Sequence, residues 1–313
     1  MKIVYMGTPD FAVPALRALA DRYGVSAVFC QPDRPKARSR KPVACPVKQA
    51  ALELGIEVHQ PKRIRAKKWV QLLRDLAPDL IVVAAFGQIL PQSILDIPTI
   101  DCVNIHASLL PRWRGASPIH HALLYGDPRT GVGIMRMEAG LDTGPVYREA
   151  AMDIDDTITR EALEQALATM GADVLLETVP DLKGMEPTPQ DDAASCYAPI
   201  ITKDMGWVDL SRQNAETVWR TVRAFRGWPD VYVQWQDHPL KLCSVQPVTD
   251  GDVTGEPGTL AQVTKKRMLV ACADNTLLNV LEVQPAGKKV MPIHAFINGY
   301  KPTVGETLAK MQH

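Results

Sequence analysis

Short apolar runs rich in β-branched residues alternate with stretches of helical periodicity through the first half of the chain. Ile3–Met6, Val25–Cys30, Ile56–His59, Leu80–Ala85 and Cys102–Ile105 have the length and composition of strands. Between them, Phe11–Tyr23, Pro46–Leu54, Ala66–Leu76 and Pro118–Tyr125 carry helical patterns. The fourth apolar run has no polar position, so its strand is expected to be buried on both faces. This alternation predicts an α/β fold: a doubly wound, mostly parallel sheet with helices on either side. Two further β-like runs, Val132–Met137 and Val146–Ile154, precede a long amphipathic helix expected near Thr159–Leu182, after the polar stretch Asp155–Thr159.

The pattern then changes. Lys183–Pro199 contains GMEPTPQDDAAS, rich in Pro, Asp and small residues, and has the composition of an exposed linker. Beyond it, a helix is expected over Ala215–Phe225. Short strand-like runs follow at Val231–Trp235, Leu240–Val245, Thr259–Val263, Met268–Ala271 and Leu277–Val283, separated by Gly, Pro, Asp and Asn. Such spacing is that of a small β-barrel or β-sandwich, and an OB-like barrel is the expectation carried forward. The expected division is therefore an N-terminal α/β domain over 1–189, a linker over 190–206 and a C-terminal β-barrel domain over 207–313. Two domains also suit a length of 313 residues.

Charge sharpens this outline. The formal net charge is zero, which argues against indiscriminate coating of nucleic acid, yet the charges are segregated. Gln31–Lys68 holds eleven Lys or Arg against three acids, and Asp127–Asp192 holds five basic residues against fifteen acidic ones. A charge run is ordinarily a solvated face. DRPKARSRKPVACP, however, sets five basic residues among prolines with almost no apolar residue, so it cannot be a core element and suits a polyanion. The six cysteines form no C-x-x-C pair and have no His at zinc-like spacing, which points to reduced thiols and no metal. MKIVYMG is too short in apolar residues for a signal-peptide core, and Leu80–Phe86 is too short to span a bilayer. The expectation is a cytoplasmic monomer with no membrane and no DNA partner.

The densest chemistry lies in CVNIHASLLPRWRG, Cys102–Gly115. In a strand, Asn104 and His106 share one face. They also stand at its carboxyl end, where open α/β sheets bind ligands. An amide can donate to an oxyanion and an imidazole can move a proton near neutral pH, which together suit acyl transfer. Alone, N-x-H is more often a hydrogen-bonded core histidine. Some thirty residues on, Gly140–Leu141–Asp142–Thr143–Gly144 sets one acid between glycines, either as an ordinary turn or as a carboxylate that orients His106.

N-x-H followed by SLLP-x-x-RG and then LDTG resembles the folate-dependent formyltransferase family. The resemblance extends to GTPDFAVPAL, QPDRP, CPVK, AAFGQILP, QPAGKK and FINGYKPTVGETL, in collinear order over nearly the whole chain. The last two motifs resemble the family branch whose acceptor is methionyl-tRNA. The resemblance implies that 10-formyl-tetrahydrofolate is the one-carbon donor and tetrahydrofolate the product. It implies that Asn104 donates to the formyl oxygen, that His106 shuttles the proton and that Asp142 holds and polarises it. Ser108, Leu109, Leu110 and Pro111 match the segment lining the folate site, and the pterin would sit against the Phe86–Leu90 loop through backbone groups. The basic loop matches the insertion that enters the acceptor stem of the initiator tRNA, with Arg34, Lys36, Arg38, Arg40 and Lys41 contributing charge and Lys288 and Lys289 adding to it from the C-terminal domain. Relatives carry glycine-flanked RGKK in this loop. Here Lys36–Pro42 is KARSRKP, which keeps the charge and lowers the flexibility.

Three other readings stand beside this one. A formyltransferase for a small amine would keep Asn104, His106 and Asp142 without needing the Arg34–Lys41 loop. A non-catalytic RNA-binding module would not need His106. A nicotinamide dehydrogenase would share the Rossmann-like sheet, but Gly7 stands alone without the G-x-G-x-x-G phosphate fingerprint.

Overall fold

The computed structural model describes residues 1–35 and 42–309. The chain divides into two compact units. The first holds residues 1–118, 128–155 and 161–199, and the second holds 119–127, 156–160 and residues from 200 onward.

In the first unit, strands β1 (Ile3–Gly7), β2 (Ala27–Phe29), β3 (Val58–His59), β4 (Leu80–Ala84), β5 (Asp101–His106), β6 (Arg129–Arg136) and β7 (Val146–Asp153) form one sheet. Its spatial order is β7-β6-β5-β4-β1-β2-β3. The strands from β5 to β3 are parallel, and β6 and β7 add an antiparallel edge. The mostly parallel, doubly wound sheet anticipated from the alternating pattern is therefore present. Every residue of β1 and β4 is buried, as expected for strands covered on both faces. The chain runs outward from β1 through β2 to β3, then returns to build β4 and β5 on the other side. The loops after β1 and β4 thus flank a topological switch point, and Thr8 Oγ1 donates across it to the Phe86 carbonyl at 3.0 Å.

Helices α1 (Val13–Tyr23), α2 (Pro46–Glu53), α3 (Lys67–Leu76) and α5 (Arg160–Thr178) fall close to the expected segments. The helix α5 supports the back of β5. A Cβ on Gly171 would stand 2.8 Å from Ile105 Cγ2, so glycine lets helix and strand approach closely. Because Ile105 faces that helix, period-two alternation turns Asn104 and His106 to the opposite face.

The segment expected as an exposed linker does not hang free. Residues 183–199 belong to the first unit. Thr188 bridges Val146, and the short strand Tyr197–Ala198 runs parallel to Arg114–Gly115. Proline, aspartate and small residues mark irregular backbone, and irregular backbone can still be fully hydrogen-bonded to a neighbour. The helix α4 (Pro118–Tyr125) also departs from expectation: its residues from 119 onward belong to the second unit.

In the second unit, helix α6 (Ala215–Phe225) is capped by the Asn214 side chain, which accepts from Thr217 N. Strands β8 (Val231–Trp235), β9 (His238–Val248), β10 (Leu260–Val263), β11 (Met268–Cys272), β12 (Thr276–Pro285) and β13 (Leu308–Ala309) form an antiparallel sheet in the order β10-β11-β12-β9-β8-β13. Its ends close into a barrel: Leu260 N donates to Glu306 O, Gly305 N to Leu260 O and Leu308 N to Gly258 O, each at 2.8 Å. A helix that the strand spacing had not revealed, α7 (Ile293–Tyr300), places Phe296 against Trp235 with ring centroids 5.0 Å apart.

The sheet edge beside the site has little room. A Cβ on Gly131 would lie 2.1 Å from the Ala150 carbonyl and 2.6 Å from Leu109 Cδ2. Overpacking of this kind costs about 1–3 kcal/mol. Gly131→Ala is therefore expected to lower the urea midpoint without changing the slope of the unfolding transition.

Candidate active site

The strand β5 delivers Asn104 and His106 to the carboxyl edge of the sheet, as period two requires. Asn104 is half-buried, in register with Val83 on β4 and Met135 on β6. His106 is buried and pairs with Gly133, which presents no side chain beside the imidazole. Among the described residues, no side-chain hydrogen bond engages the Asn104 amide, so its donors stay available.

His106 is held at Nε2 and faced by an acid at Nδ1. Nε2 lies 2.9 Å from the Trp113 carbonyl oxygen. A carbonyl can only accept, so Nε2 carries a proton and donates it. Nδ1 faces Asp142 Oδ2 at 3.7 Å, beyond hydrogen-bond range and within reach of an ion pair. The Asp142 carboxylate is oriented in turn by the Gly115 N–H, which donates to Oδ2 at 2.9 Å. The three residues singled out in the sequence thus converge on one edge. Asp142 does not bond the imidazole directly; it stands beside the nitrogen that remains open to proton exchange.

Two of these partners sit in left-handed backbone conformations: Trp113 at φ 62° and Asp142 at φ 52°. For residues other than glycine this costs about 1–3 kcal/mol each and persists only where the surroundings enforce it. Trp113 was not legible as a site residue, because its contribution is a backbone carbonyl.

Ser108–Pro111 leaves β5 directly after His106. Ser108 is buried and donates from Oγ to the Arg112 carbonyl at 2.6 Å. Leu110 is buried, with its N–H donating to Glu149 Oε1 at 3.1 Å. Leu109 lies over Gly131. Ser108 and Leu110 therefore shape the loop from inside, which leaves the half-buried Leu109 and Pro111 as its more open positions. Phe86 and Leu90 are core residues packed with Val83, Ile94 and Cys102. The Phe86 carbonyl already accepts from Thr8 Oγ1 and Gln31 Nε2. In that loop it is Ile89 that faces outward, at 80% exposure. Gln88 braces it, accepting from Ile64 N and donating to Pro61 O.

Of the basic positions, Arg34 is exposed and pairs with Val43 at the root of the loop. Lys36, Arg38, Arg40 and Lys41 lie outside the described residues. Lys288 and Lys289 are exposed on the turn after β12. The root is braced by a polar cluster: Lys48 Nζ donates to Asp33 Oδ2 at 2.7 Å and to Gln60 Oε1 at 2.9 Å, and Gln60 Nε2 donates to Asp33 Oδ1 at 2.7 Å. Hydrogen bonds from Lys48 and then Gln60 hold the Asp33 carboxyl below its ordinary range.

A strand-end amide, an oriented imidazole and a carboxylate stand together at the carboxyl edge of an open sheet, a set of groups suited to acyl transfer. Comparison with known proteins agrees. The formyl transferase family matches residues 1–179, and the formyl transferase C-terminal domain matches residues 200–301. The chain belongs to the formyl transferase family. It is similar to a methionyl-tRNA formyltransferase of Pelobacter propionicus, 46% identical over 95% of this chain and 92% of the relative. It is likewise similar to one of Magnetococcus marinus, 45% identical over 99% of this chain and 98% of the relative. Among solved structures, an N-formyltransferase from Helicobacter canadensis in complex with folinic acid and dTDP-3-aminofucose superposes with a TM-score of 0.66 at 13% identity, covering 91% of this chain and 99% of that one. HypX from Aquifex aeolicus in complex with tetrahydrofolic acid gives a TM-score of 0.60 at 15% identity, covering 97% of this chain and 48% of that one. At these identities the structures speak for the fold.

The Asp33 cluster carries a pH test. A depressed folded-state pKa contributes stability that is present above the unfolded carboxylate value and is lost as pH falls through the folded one. Asp33→Ala is expected to cost about 1–2 kcal/mol at pH 7, discounting a charge-assisted pair for partial exposure. That difference should shrink in urea titrations once the pH falls below about 4.

Proposed function

We propose that this chain transfers the formyl group of 10-formyl-tetrahydrofolate to the α-amino group of methionyl initiator tRNA, in the cytoplasm and as a monomer. The observation that carries the reading is the convergence of Asn104, His106 and Asp142 on one sheet edge, within a chain whose likeness to methionyl-tRNA formyltransferases runs through both units.

In this reading the neutral amine attacks the formyl carbon. The Asn104 amide donates to the oxygen as it gains charge. His106, fixed by the Trp113 carbonyl at Nε2, takes the amine proton at Nδ1, and the carboxylate of Asp142 stabilises the imidazolium that results. The new C–N bond then stays, the bond from the formyl carbon to the carrier nitrogen breaks, and the proton passes to that nitrogen.

The folate carrier is a substrate, and the residues present suit it. Gly87, at φ 82°, turns the loop after β4 with open backbone, and Ile89 and Leu109 offer apolar surface. Acceptor recognition is assigned to the basic loop, Arg34 with Lys36, Arg38, Arg40 and Lys41, and to the 207–313 barrel with Lys288 and Lys289. The formyl-transfer chemistry is assigned to the 1–189 portion, with 190–206 joining the two.

An assay with 10-formyl-tetrahydrofolate, charged initiator tRNA and, in parallel, a nucleotide-linked amino sugar distinguishes the acceptors. Formylated methionyl-tRNA is the expected product, and transfer to the sugar alone would favour the small-amine reading. Asn104→Ala is expected to lower kcat by about 10²–10³, the usual loss for one oxyanion donor.

A further inference from the structure

Segment 188–198, which has the composition of a linker, meets both the turn that carries Asp142 and the loop that carries Trp113. Thr188 and Val146 exchange backbone hydrogen bonds at 2.8 Å in each direction. Gln190 then reaches into the turn after β6: its Nε2 donates to the Asp142 carbonyl at 2.9 Å and to the Gly144 carbonyl at 2.6 Å. Its other amide atom, Oε1, accepts from Arg114 Nε at 2.9 Å. Arg114 is also held by Asp192 at 2.7 Å. Further along, Cys196 Sγ accepts the Trp113 N–H at 3.2 Å, and Arg114 N donates to the Cys196 carbonyl at 3.0 Å. The Ala198 carbonyl accepts from Ala116 N at 2.9 Å.

The targets are not arbitrary. Trp113 supplies the carbonyl that fixes His106 Nε2, and Asp142 supplies the carboxylate facing Nδ1. Both residues are in the left-handed region, a conformation that needs external enforcement. Gly115, whose N–H orients the Asp142 carboxylate, lies so close to the segment that a Cβ there would stand 2.6 Å from the Ala198 carbonyl. One amide therefore ties the backbone on the carboxylate side of the imidazole to the loop on its carbonyl side. All three hydrogen-bonding capacities it uses are spent within this turn and loop.

We infer that Gln190 is a positioning residue for formyl transfer, clamping the Asp142 turn to the Arg114 loop so that His106 is held in the geometry that exchanges a proton at Nδ1. The inference rests on the role given above to His106. Gln190 acts through the Asp142 turn, which it bonds at two carbonyls, and through Arg114, the neighbour of Trp113. Misplacing a catalytic group by about an ångström costs roughly 10²-fold in rate, and residues acting as one unit have non-additive effects.

The test is Gln190→Glu, which keeps the acceptor for Arg114 and removes the donor for two carbonyls, with Gln190→Ala as the stronger variant. Both are combined with Asp142→Asn. Expected is a kcat lowered roughly 10–100-fold with KM for both substrates nearly unchanged, and no further loss when Gln190→Glu is added to Asp142→Asn. Wild-type kcat in both variants, or losses that multiply with Asp142→Asn, would overturn the inference. If Gln190→Ala does not fold, Gln190→Glu decides. An arm without substrate separates this claim from the acceptor assignment: ring ¹⁵N shifts of His106 should move in Gln190→Glu. Unmoved shifts overturn the clamp even if the wild type formylates methionyl-tRNA, and moved shifts support it even if the acceptor proves to be another amine.

Discussion

The candidate site is built around a buried imidazole that is not free to choose its tautomer. The Trp113 carbonyl, 2.9 Å from His106 Nε2, can only accept, so one ring nitrogen is committed as a donor. Proton exchange is left to the other nitrogen, and the acid beside it stands at 3.7 Å. The fold around it serves to hold this arrangement: β5 projects the ring, Ile105 and Gly171 seat the strand on α5, and two residues other than glycine accept left-handed backbone so that a carbonyl and a carboxylate arrive at opposite nitrogens.

The sheet was legible because its strands are apolar on both faces and because the pattern changes period between strand and helix. β1 and β4 are buried throughout, and their boundaries fall within a residue or so of the apolar runs. The barrel was legible from evenly spaced short runs. The helix α7 was not, because its eight residues sit among turn-formers and supply too few positions for a periodicity to show. The residues near 190 misled for a related reason. Proline and aspartate signal the absence of regular structure, which says nothing about whether irregular backbone is held by its neighbours.

The site shows the same division. Asn104 and His106 were legible because a strand's period puts them on one face at its carboxyl end, and Asp142 because one acid stands between two glycines. Trp113 was hidden because a carbonyl carries no signature in the side chain. Gln190 was hidden because an amide some fifty residues from its target looks like any polar surface residue. Phe86 and Leu90 illustrate the converse: a loop suited to a ligand by its backbone can carry side chains that belong to the core.

The most direct measurement is single-turnover formylation of methionyl-tRNA by His106→Gln. Glutamine still offers an N–H to the Trp113 carbonyl but cannot carry a proton away from the attacking amine. The chemical step should slow by about 10²–10⁴, the usual worth of a positioned proton-transfer group, with tRNA and folate affinities retained. A chemical step as fast as that of the wild type would contradict it.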